Sequence, residues 1–208
     1  NKIGVLCEKY NLFLLSDEIY EYIVFDGKKH VSPASLPVLK DRTVTISGYS
    51  KTYSITGWRI GYSIAGGQLS ELIGEVNDLF YVCAPSPAQY AVAKAIENLP
   101  DSFYMEICNS YKEKRDLLCD TLSKCGLYPF VPEGAYYILA DVSSLPGKDS
   151  KEKCIYLLDK TGIGTVPGDA FYSGSSGKDV LRFCFARDIS VIQKACSLII
   201  ENSFKWEY

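Results

Sequence analysis

The sequence contains one histidine, one methionine and no C-x-x-C pair, and these shortages argue against several kinds of site. Its eight cysteines are dispersed through apolar segments, so neither a disulfide framework nor a zinc site is expected. They instead predict buried free thiols in a reducing compartment, which indicates the cytoplasm or an equally reducing organelle. The single histidine, His30, lies in a Gly-Lys-Lys-His loop, and we expect it to be structural or exposed.

The chain also lacks a strong charge of either sign. Its 22 Lys and Arg against 25 Asp and Glu give a formal net charge of −3 over 208 residues, which does not favour a nucleic acid or a membrane surface as partner. No apolar run approaches the length that spans a bilayer. We expect no signal peptide, since Asn1 and Lys2 lead directly into a helical pattern. Because Asn1 is not an initiator methionine and the chain opens inside a helical pattern, we expect an upstream portion of the protein.

Short apolar or β-branched runs predict three buried strands in the first half, at residues 11–17, 42–47 and 59–65. The first of them is typical of a strand that is buried on both faces. Helical patterns lie between and after these runs, so this half is expected to be part of a layered α/β sheet. The second half contains a long amphipathic helix over residues 101–125 and then an α+β pattern with strands at 135–142 and 180–186. We therefore predict two domains, residues 1–112 and 113–208.

Helix capping residues mark the later helices. Asp149, with Glu152 three residues on, predicts a helix start that Gly162 ends, and Asp188 is expected to cap the last helix.

Two reactive side chains are expected at the carboxyl ends of strands. Asp17 ends the first predicted strand, and Lys51 follows the second. Chemistry in α/β sheets gathers at that edge. The lysine is flanked by small and hydroxyl residues and lies near Arg59, which would help it to act as an amine nucleophile.

The surrounding motifs resemble those of class I and II aminotransferases, the aspartate-aminotransferase type of fold type I. S-K-T-Y-S-I-T-G-W-R-I-G-Y at residues 50–62 is similar to the family's cofactor-lysine motif, and S-D-E-I-Y at residues 16–20 to its D-E-x-Y segment. P-E-G-A-Y-Y, V-P-G-D-A-F and L-R-F-C-F-A, at residues 132–137, 166–171 and 181–186, are similar to its small-domain motifs in the same order. The resemblance runs the full length of the chain, which corresponds to the C-terminal half of such an enzyme.

The resemblance implies a fold, a cofactor and a role for each matching residue. The first domain would be the end of the large, mainly parallel domain, and the cofactor would be pyridoxal 5′-phosphate, bound to Lys51 as a Schiff base. Asp17 would pair with the pyridine nitrogen, Tyr20 would donate to the ring oxygen and Arg59 would bind the phosphate. Lys51 would also move the proton from the substrate's Cα.

The substrate α-carboxylate would bind Arg182 in the last strand. Arg187 lies five residues on, and strand alternation would place the two arginines on opposite faces, so that only one points inward. The match to the family favours Arg182.

One departure concerns the phosphate. Many members have a serine three residues before the lysine, where this sequence has Gly48, and Ser50 or a backbone N–H would substitute. The family's glycine-rich phosphate turn, stacking aromatic residue and cofactor-binding asparagine would all precede Asn1.

The resemblance implies an aminotransferase that acts on an amino acid and a 2-oxo acid as a homodimer, without a metal. A carbon–sulfur β-lyase of the same family shares nearly every motif and stays open as an alternative. A third possibility is a folded but non-catalytic fragment.

Overall fold

A computed structural model describes residues 1–203 and residue 206. It divides the chain into two compact units, Asn1–Ile107 and Cys108–Tyr208. The division falls inside one long helix, α4 (Asp101–Lys124), which also contains the domain boundary predicted at residue 112. The two units are described separately below.

The first unit is a small sheet with helices. Its elements are α1 (Lys2–Lys9), β1 (Leu14–Asp17), β2 (Thr43–Gly48), β3 (Gly61–Ile64), α2 (Gly67–Phe80), α3 (Ser86–Asn98) and the first residues of α4, with short 3-10 turns at Pro33–Ser35, Lys40–Arg42 and Thr56–Trp58. The strand order is β1-β2-β3. β1 and β2 are parallel and β3 is antiparallel to β2, so the sheet is mixed. All three predicted strands are present: β1 and β3 are shorter than their runs of residues, and β2 has the predicted length but is shifted by one residue.

The prediction that β1 is buried on both faces is wrong. Its side chains alternate between half-buried and exposed, and Leu15 is 70% exposed. The reason is its position: β1 is at the edge of the described sheet, and one of its faces is left uncovered. Apolar side chains on α2 are also exposed, among them Leu79 at 81% and Phe80 at 86%.

The second unit encloses a core between a sheet and helices. After α4 come β4 (Tyr128–Phe130), β5 (Tyr137–Asp141), α5 (Ser150–Thr161), β6 (Val166–Pro167), β7 (Val180–Cys184) and α6 (Ile189–Ser203). The sheet is antiparallel in the order β4-β5-β7-β6. The least exposed side chains of its core are Leu122, Leu127, Ile138, Leu157, Leu181, Phe185 and Ile199.

The caps of α5 are as the sequence predicts. The Asp149 carboxylate accepts a hydrogen bond of 2.9 Å from the backbone N–H of Glu152, and Gly162 ends the helix in the left-handed region at φ 74°. The Glu152 carboxylate in turn accepts from the N–H of Lys148 at 3.0 Å, one residue before the cap.

All eight cysteines are free thiols. Four of them, Cys7, Cys119, Cys125 and Cys196, are buried as expected. Cys83 and Cys184 are exposed, so the prediction of burial is wrong for these two, which lie in the loop after α2 and at the end of β7. Across the described ranges, no helix is both long and apolar enough to cross a membrane, and no group of three potential metal ligands occurs.

Candidate active site

The structure brings Asp17 and Lys51 to the same edge of the first unit's sheet. Asp17 is the last residue of β1 and lies opposite Ile46 of β2, and the N–H of the following Glu18 donates to the Ile46 carbonyl at 2.7 Å. β2 ends two residues later at Gly48, and Lys51 follows in the next turn. Since the strands are parallel, both side chains leave from carboxyl ends, where the sequence predicted them.

Two side chains at the end of β1 and in the turn after it, Asp17 and Tyr20, can be reached from solvent. Asp17 is exposed, and its Oδ1 accepts a hydrogen bond from the backbone N–H of Ile19 at 3.2 Å. This bond fixes the carboxylate at the start of a turn. Tyr20 lies in that turn and is half-buried.

Lys51 lies in a tight turn that its neighbours hold in place. The N–H of Tyr53 donates to the Tyr49 carbonyl at 3.0 Å, and the Thr56 hydroxyl donates to the Ser50 carbonyl at 3.2 Å. Lys51 and Ser50 are both half-buried.

Arg59 extends from the same loop. It is exposed and ends the 3-10 turn Thr56–Trp58 in the left-handed region at φ 58°, which is uncommon for a residue with a side chain. Its Nη1 donates to the Thr56 carbonyl at 3.0 Å. One edge of the guanidinium is thus tied to the loop, and the exposed remainder is suited to an anion.

Gly48 is a point of close backbone approach. It pairs with Gly61 of β3, and a Cβ added at Gly48 would lie 2.8 Å from the Gly61 Cα and 2.9 Å from the Ile60 carbonyl oxygen. A serine could not be accommodated here without a shift of the backbone, which gives a physical reason for the departure from the family's motif.

A cluster of phenols lies beside this edge, and the sequence alone did not reveal it. Glu21 Oε1 accepts hydrogen bonds of 2.9 Å from both the Ser47 and the Tyr62 hydroxyls. Burial, together with the hydrogen bond to Glu21, raises the pKa of Tyr62 to about 12. The Tyr53 hydroxyl is 2.8 Å from the Tyr104 hydroxyl, and burial with this contact raises the Tyr53 pKa as well.

Glu18 forms a second network that sequence reasoning missed. Its Oε2 is 2.6 Å from His30 Nε2, and its Oε1 accepts from the Ser32 hydroxyl at 2.8 Å and from the Thr45 hydroxyl at 3.3 Å. Burial acts to raise the pKa of Glu18, but the hydrogen bonds from His30 and Ser32 outweigh it, and the pKa is lowered. His30 is thus exposed and also part of this network, so both of the properties that the sequence suggested are present. An acidic residue directly after the strand-end aspartate was the only sequence feature that could have indicated this network.

In the second unit, Arg182 lies on the open face of the small sheet. It lies in β7 between the buried residues Leu181 and Phe183, and it pairs with Leu139 of β5 and Val166 of β6. Its guanidinium carbon lies 4.9 Å from the centre of the Phe171 ring and 5.3 Å from that of Tyr137. Stacking of this kind orients a planar guanidinium while leaving its edge N–H groups for an anion.

Arg187 differs from Arg182 in a way that strand alternation did not predict. β7 ends at Cys184, so Arg187 lies in the loop before α6, where it is exposed. The argument that assigned it to the opposite face of the strand is wrong, because no strand is present there. The preference for Arg182 now rests on its place in β7 and its ring contacts.

The V-P-G-D-A-F motif closes a turn in the second unit. A Cβ added at Gly168 would lie 2.4 Å from the Gly177 carbonyl oxygen, so the chain needs glycine there. The Asp169 carboxylate accepts from the Ser150 hydroxyl at 2.7 Å, and the Asp169 N–H donates back to Ser150 Oγ at 3.1 Å. The motif thus fastens the start of α5.

Comparison with known proteins supports the resemblance along the chain. The model of the family described as aminotransferase class I and II matches residues 1–199. The chain belongs to this family. Kynurenine–oxoglutarate transaminase of Dictyostelium discoideum is 36% identical over 206 residues, covering 89% of this chain and 47% of that protein. Methionine aminotransferase of Escherichia coli is 32% identical over 186 residues, covering 89% of this chain and 48% of that protein.

Solved structures support the same family. The aspartate aminotransferase of Rhizobium meliloti superimposes with a TM-score of 0.86 at 32% identity, covering 99% of this chain and 53% of that one. The predicted fold, α/β of fold type I, is confirmed. This chain spans about half the length of the curated relatives that it matches.

Class I and II aminotransferases depend on pyridoxal phosphate. The donor set of the first unit fits that cofactor: an amine at Lys51, an exposed carboxylate at Asp17, a phenol at Tyr20 and an exposed guanidinium at Arg59. These groups are complementary to an aldehyde, a pyridine nitrogen, a ring oxygen and a phosphate.

Proposed function

We propose that the full-length protein is a pyridoxal-phosphate aminotransferase that moves an amino group from an amino acid to a 2-oxo acid. The observation that carries the proposal is the position of Asp17 and Lys51 at neighbouring carboxyl ends of two parallel strands, within motifs that match the family. An amine and a carboxylate at one sheet edge are what this chemistry requires of the protein.

When bound, the cofactor supplies an aldehyde that links covalently to an amine and a ring that accepts electrons as the substrate's Cα–H bond breaks. Lys51 would provide the amine through Nζ, and once the substrate has displaced it the same Nζ would take the proton from Cα and deliver it to the former aldehyde carbon of the cofactor. Its turn, held by Tyr53 and Thr56, keeps the amine within reach of the sheet edge.

The remaining groups orient the cofactor. Asp17 holds the proton of the pyridine nitrogen, and Tyr20 donates its hydroxyl to the ring oxygen. Arg59 binds the phosphate through the edge of the guanidinium that is not tied to Thr56. Ser50 adds a hydroxyl or N–H contact in place of the side chain that Gly48 cannot carry.

The substrates are an amino acid and a 2-oxo acid, and both have a carboxylate next to the reacting carbon. Arg182 binds this carboxylate, oriented by the rings of Tyr137 and Phe171. We further propose that the full-length protein is a homodimer, because members of this family are usually dimeric. Its free thiols favour a reducing compartment, and we propose the cytoplasm.

The test is reduction of the full-length protein with borohydride in the presence of pyridoxal phosphate, followed by peptide mapping and by a screen of amino donors. We expect the label on Lys51, and formation of a 2-oxo acid from the donor. Lys51→Ala should bind cofactor without becoming labelled, and its transamination rate should fall by several orders of magnitude, roughly a thousandfold or more. Lys94→Ala is the matched control and should keep both the label on Lys51 and the wild-type transamination rate.

Three outcomes contradict parts of this proposal. A label on another lysine would exclude Lys51 as the reactive amine. Release of thiol or ammonia without transfer of the amino group would identify a carbon–sulfur β-lyase of the same family. Failure of the full-length protein to bind the cofactor would exclude catalysis of either kind.

A further inference from the structure

Glu18 lies between two proposed cofactor contacts, Asp17 and Tyr20, but its own side chain is buried. The residue is 5% exposed, whereas Asp17 before it is exposed and Tyr20 is half-buried. Its carboxylate contacts His30 Nε2 at 2.6 Å and accepts from the Ser32 hydroxyl at 2.8 Å. A buried carboxylate with charge-assisted hydrogen bonds on both oxygens has little freedom to move.

The backbone of Glu18 is fixed as well. Its N–H donates to the Ile46 carbonyl at 2.7 Å, and its own carbonyl accepts from the Ser47 hydroxyl at 3.2 Å. The side chain also accepts from Thr45 Oγ1 at 3.3 Å. All three partners are consecutive residues of β2, the strand that leads to the Lys51 turn. Glu18 therefore joins the turn after β1 to the strand before the lysine.

We propose that Glu18 is a positioning residue: its buried network sets the direction in which the Asp17 carboxylate and the Tyr20 phenol leave the backbone, relative to the Lys51 turn. Both oxygens of Glu18 are engaged by His30, Ser32 and Thr45, so its effect passes through Asp17 and Tyr20. This inference rests on the proposed function, because Asp17 and Tyr20 matter for catalysis only if they contact the cofactor.

The physical consequence is a loss of alignment when the network is removed. With the carboxylate gone, three donors lose their acceptor and the turn at residues 17–20 loses its side-chain anchor. A misplacement of about 1 Å in a catalytic group can cost roughly a hundredfold in rate. Altered distances from Asp17 and Tyr20 would also change the protonation of the bound cofactor, which its absorbance reports.

The experiment compares Glu18→Ala, Glu18→Gln and Thr43→Val in the full-length protein. Hydrogen exchange of residues 17–20 is measured without cofactor, and the pH midpoint of the cofactor's absorbance and kcat are measured with it. For Glu18→Ala we expect exchange at least about tenfold faster, a midpoint moved by about half a pH unit or more, and kcat lower by roughly ten- to a hundredfold. Glu18→Gln, whose amide oxygen still accepts from Ser32 and Thr45, should recover most of each change.

Thr43→Val is the matched control for a general loss of stability. Thr43 is a buried polar residue of the same strand, at the end away from Lys51, and its hydroxyl donates to the Leu39 carbonyl at 2.8 Å. The Thr43→Val variant should have a lower unfolding temperature. Its hydrogen exchange at residues 17–20, the pH midpoint of its cofactor absorbance and its kcat should be unchanged.

Two results would overturn the inference. In the first, Glu18→Ala keeps the hydrogen exchange at residues 17–20 and the pH midpoint of the wild type. In the second, Thr43→Val changes both measurements as much as Glu18→Ala does. If Glu18→Ala does not fold, Ser32→Ala decides, since it removes one donor and should move both measurements in the same direction by less. Absence of cofactor absorbance in the wild type is a failure of the proposed function instead, and the exchange measurement then decides the positioning on its own.

Discussion

The two units of this chain bury their apolar residues to different extents. The second unit holds more than twice as many buried apolar side chains as the first, and the first holds more than twice as many exposed large ones, among the residues that the structure describes. Yet the first unit contains the amine, the carboxylate and the phenol that we propose to contact the cofactor, while the second unit contains Arg182, which we propose to bind the substrate carboxylate. The reactive groups are thus concentrated where the apolar surface is least covered.

The difference follows from the sheets. In the second unit, alternation along β5 and β7 places every other residue in a core that α5 and α6 border. In the first unit, the β1 edge of a three-stranded mixed sheet and one face of α2 are left bare. A unit with open edges of this kind needs further partners to be covered.

The largest expected effect concerns the 208-residue chain produced alone. We expect no measurable transamination, because Arg59 and Ser50, without the family's upstream phosphate turn and stacking aromatic residue, should hold the cofactor weakly and out of position. We also expect association through the first unit, which Leu79→Glu should reduce, since Leu79 is 81% exposed on α2. Activity assays and analytical ultracentrifugation test these two expectations.

Val191→Glu, on an exposed position of α6, is the matched control and should leave association unchanged. Turnover near that of the intact family enzymes would show that the open surface of the first unit does not matter for catalysis.

The next largest effect tests the proposed substrate contact in the second unit, Arg182. Arg182→Ala in the full-length protein should raise KM for all amino acids alike, because it removes the contact to the carboxylate that they share. The loss of a charge-assisted pair typically costs roughly 2–5 kcal/mol. Steady-state kinetics with several donors measures this.

Arg187→Ala serves as the control for Arg182, since Arg187 is an exposed loop residue. A larger effect from Arg187 than from Arg182 would reverse the assignment.

A smaller expected effect concerns the free energy of unfolding that apolar side chains contribute in each unit. Leu122 is fully buried in the second unit, and Leu122→Ala should lower its free energy of unfolding by about 2–5 kcal/mol. Leu79→Ala in the first unit should change stability by less than about 0.5 kcal/mol. Urea denaturation of the 208-residue chain measures both, and comparable losses would mean that the two units are packed equally well.

The smallest expected effect is a difference between the two units in how their stability depends on alkaline pH. The pKa of Tyr62 is raised from 10 to about 12 in the folded protein, so between these values the unfolded chain has lost the proton that the folded one keeps. Stability should therefore fall as pH rises through this window, by about 1.4 kcal/mol per pH unit for each such proton.

Tyr62→Phe should make that fall shallower in unfolding measurements between pH 9 and about 12. Tyr128→Phe in the second unit, an exposed tyrosine, is the control and should follow the wild type. Identical slopes for all three proteins would contradict the burial of Tyr62 as the cause.

Much of the fold could be predicted from local patterns. The amphipathic repeat of α4, the caps of α5 and the short apolar strands each depend on residues close in sequence, and each is present, with ends shifted by a few residues. Burial of β1 could not be predicted, because an apolar run is the same whether or not another element covers it. Nor could the end of β7 before Arg187, since the sheet's pairing, not the run of apolar residues, decides where a strand stops.

By itself, then, the sequence determined the family and the α/β class, because motif spacing is a local property. The same motifs are the basis for proposing Lys51, Asp17, Tyr20, Arg59 and Arg182 as the functional residues. Only the tertiary structure decided that Glu18 joins His30, Ser32 and Thr45, and that Gly48 meets Gly61 too closely for a side chain. These contacts connect residues 12 to 27 positions apart. They arise from the pairing and register of strands, which no short segment of sequence contains.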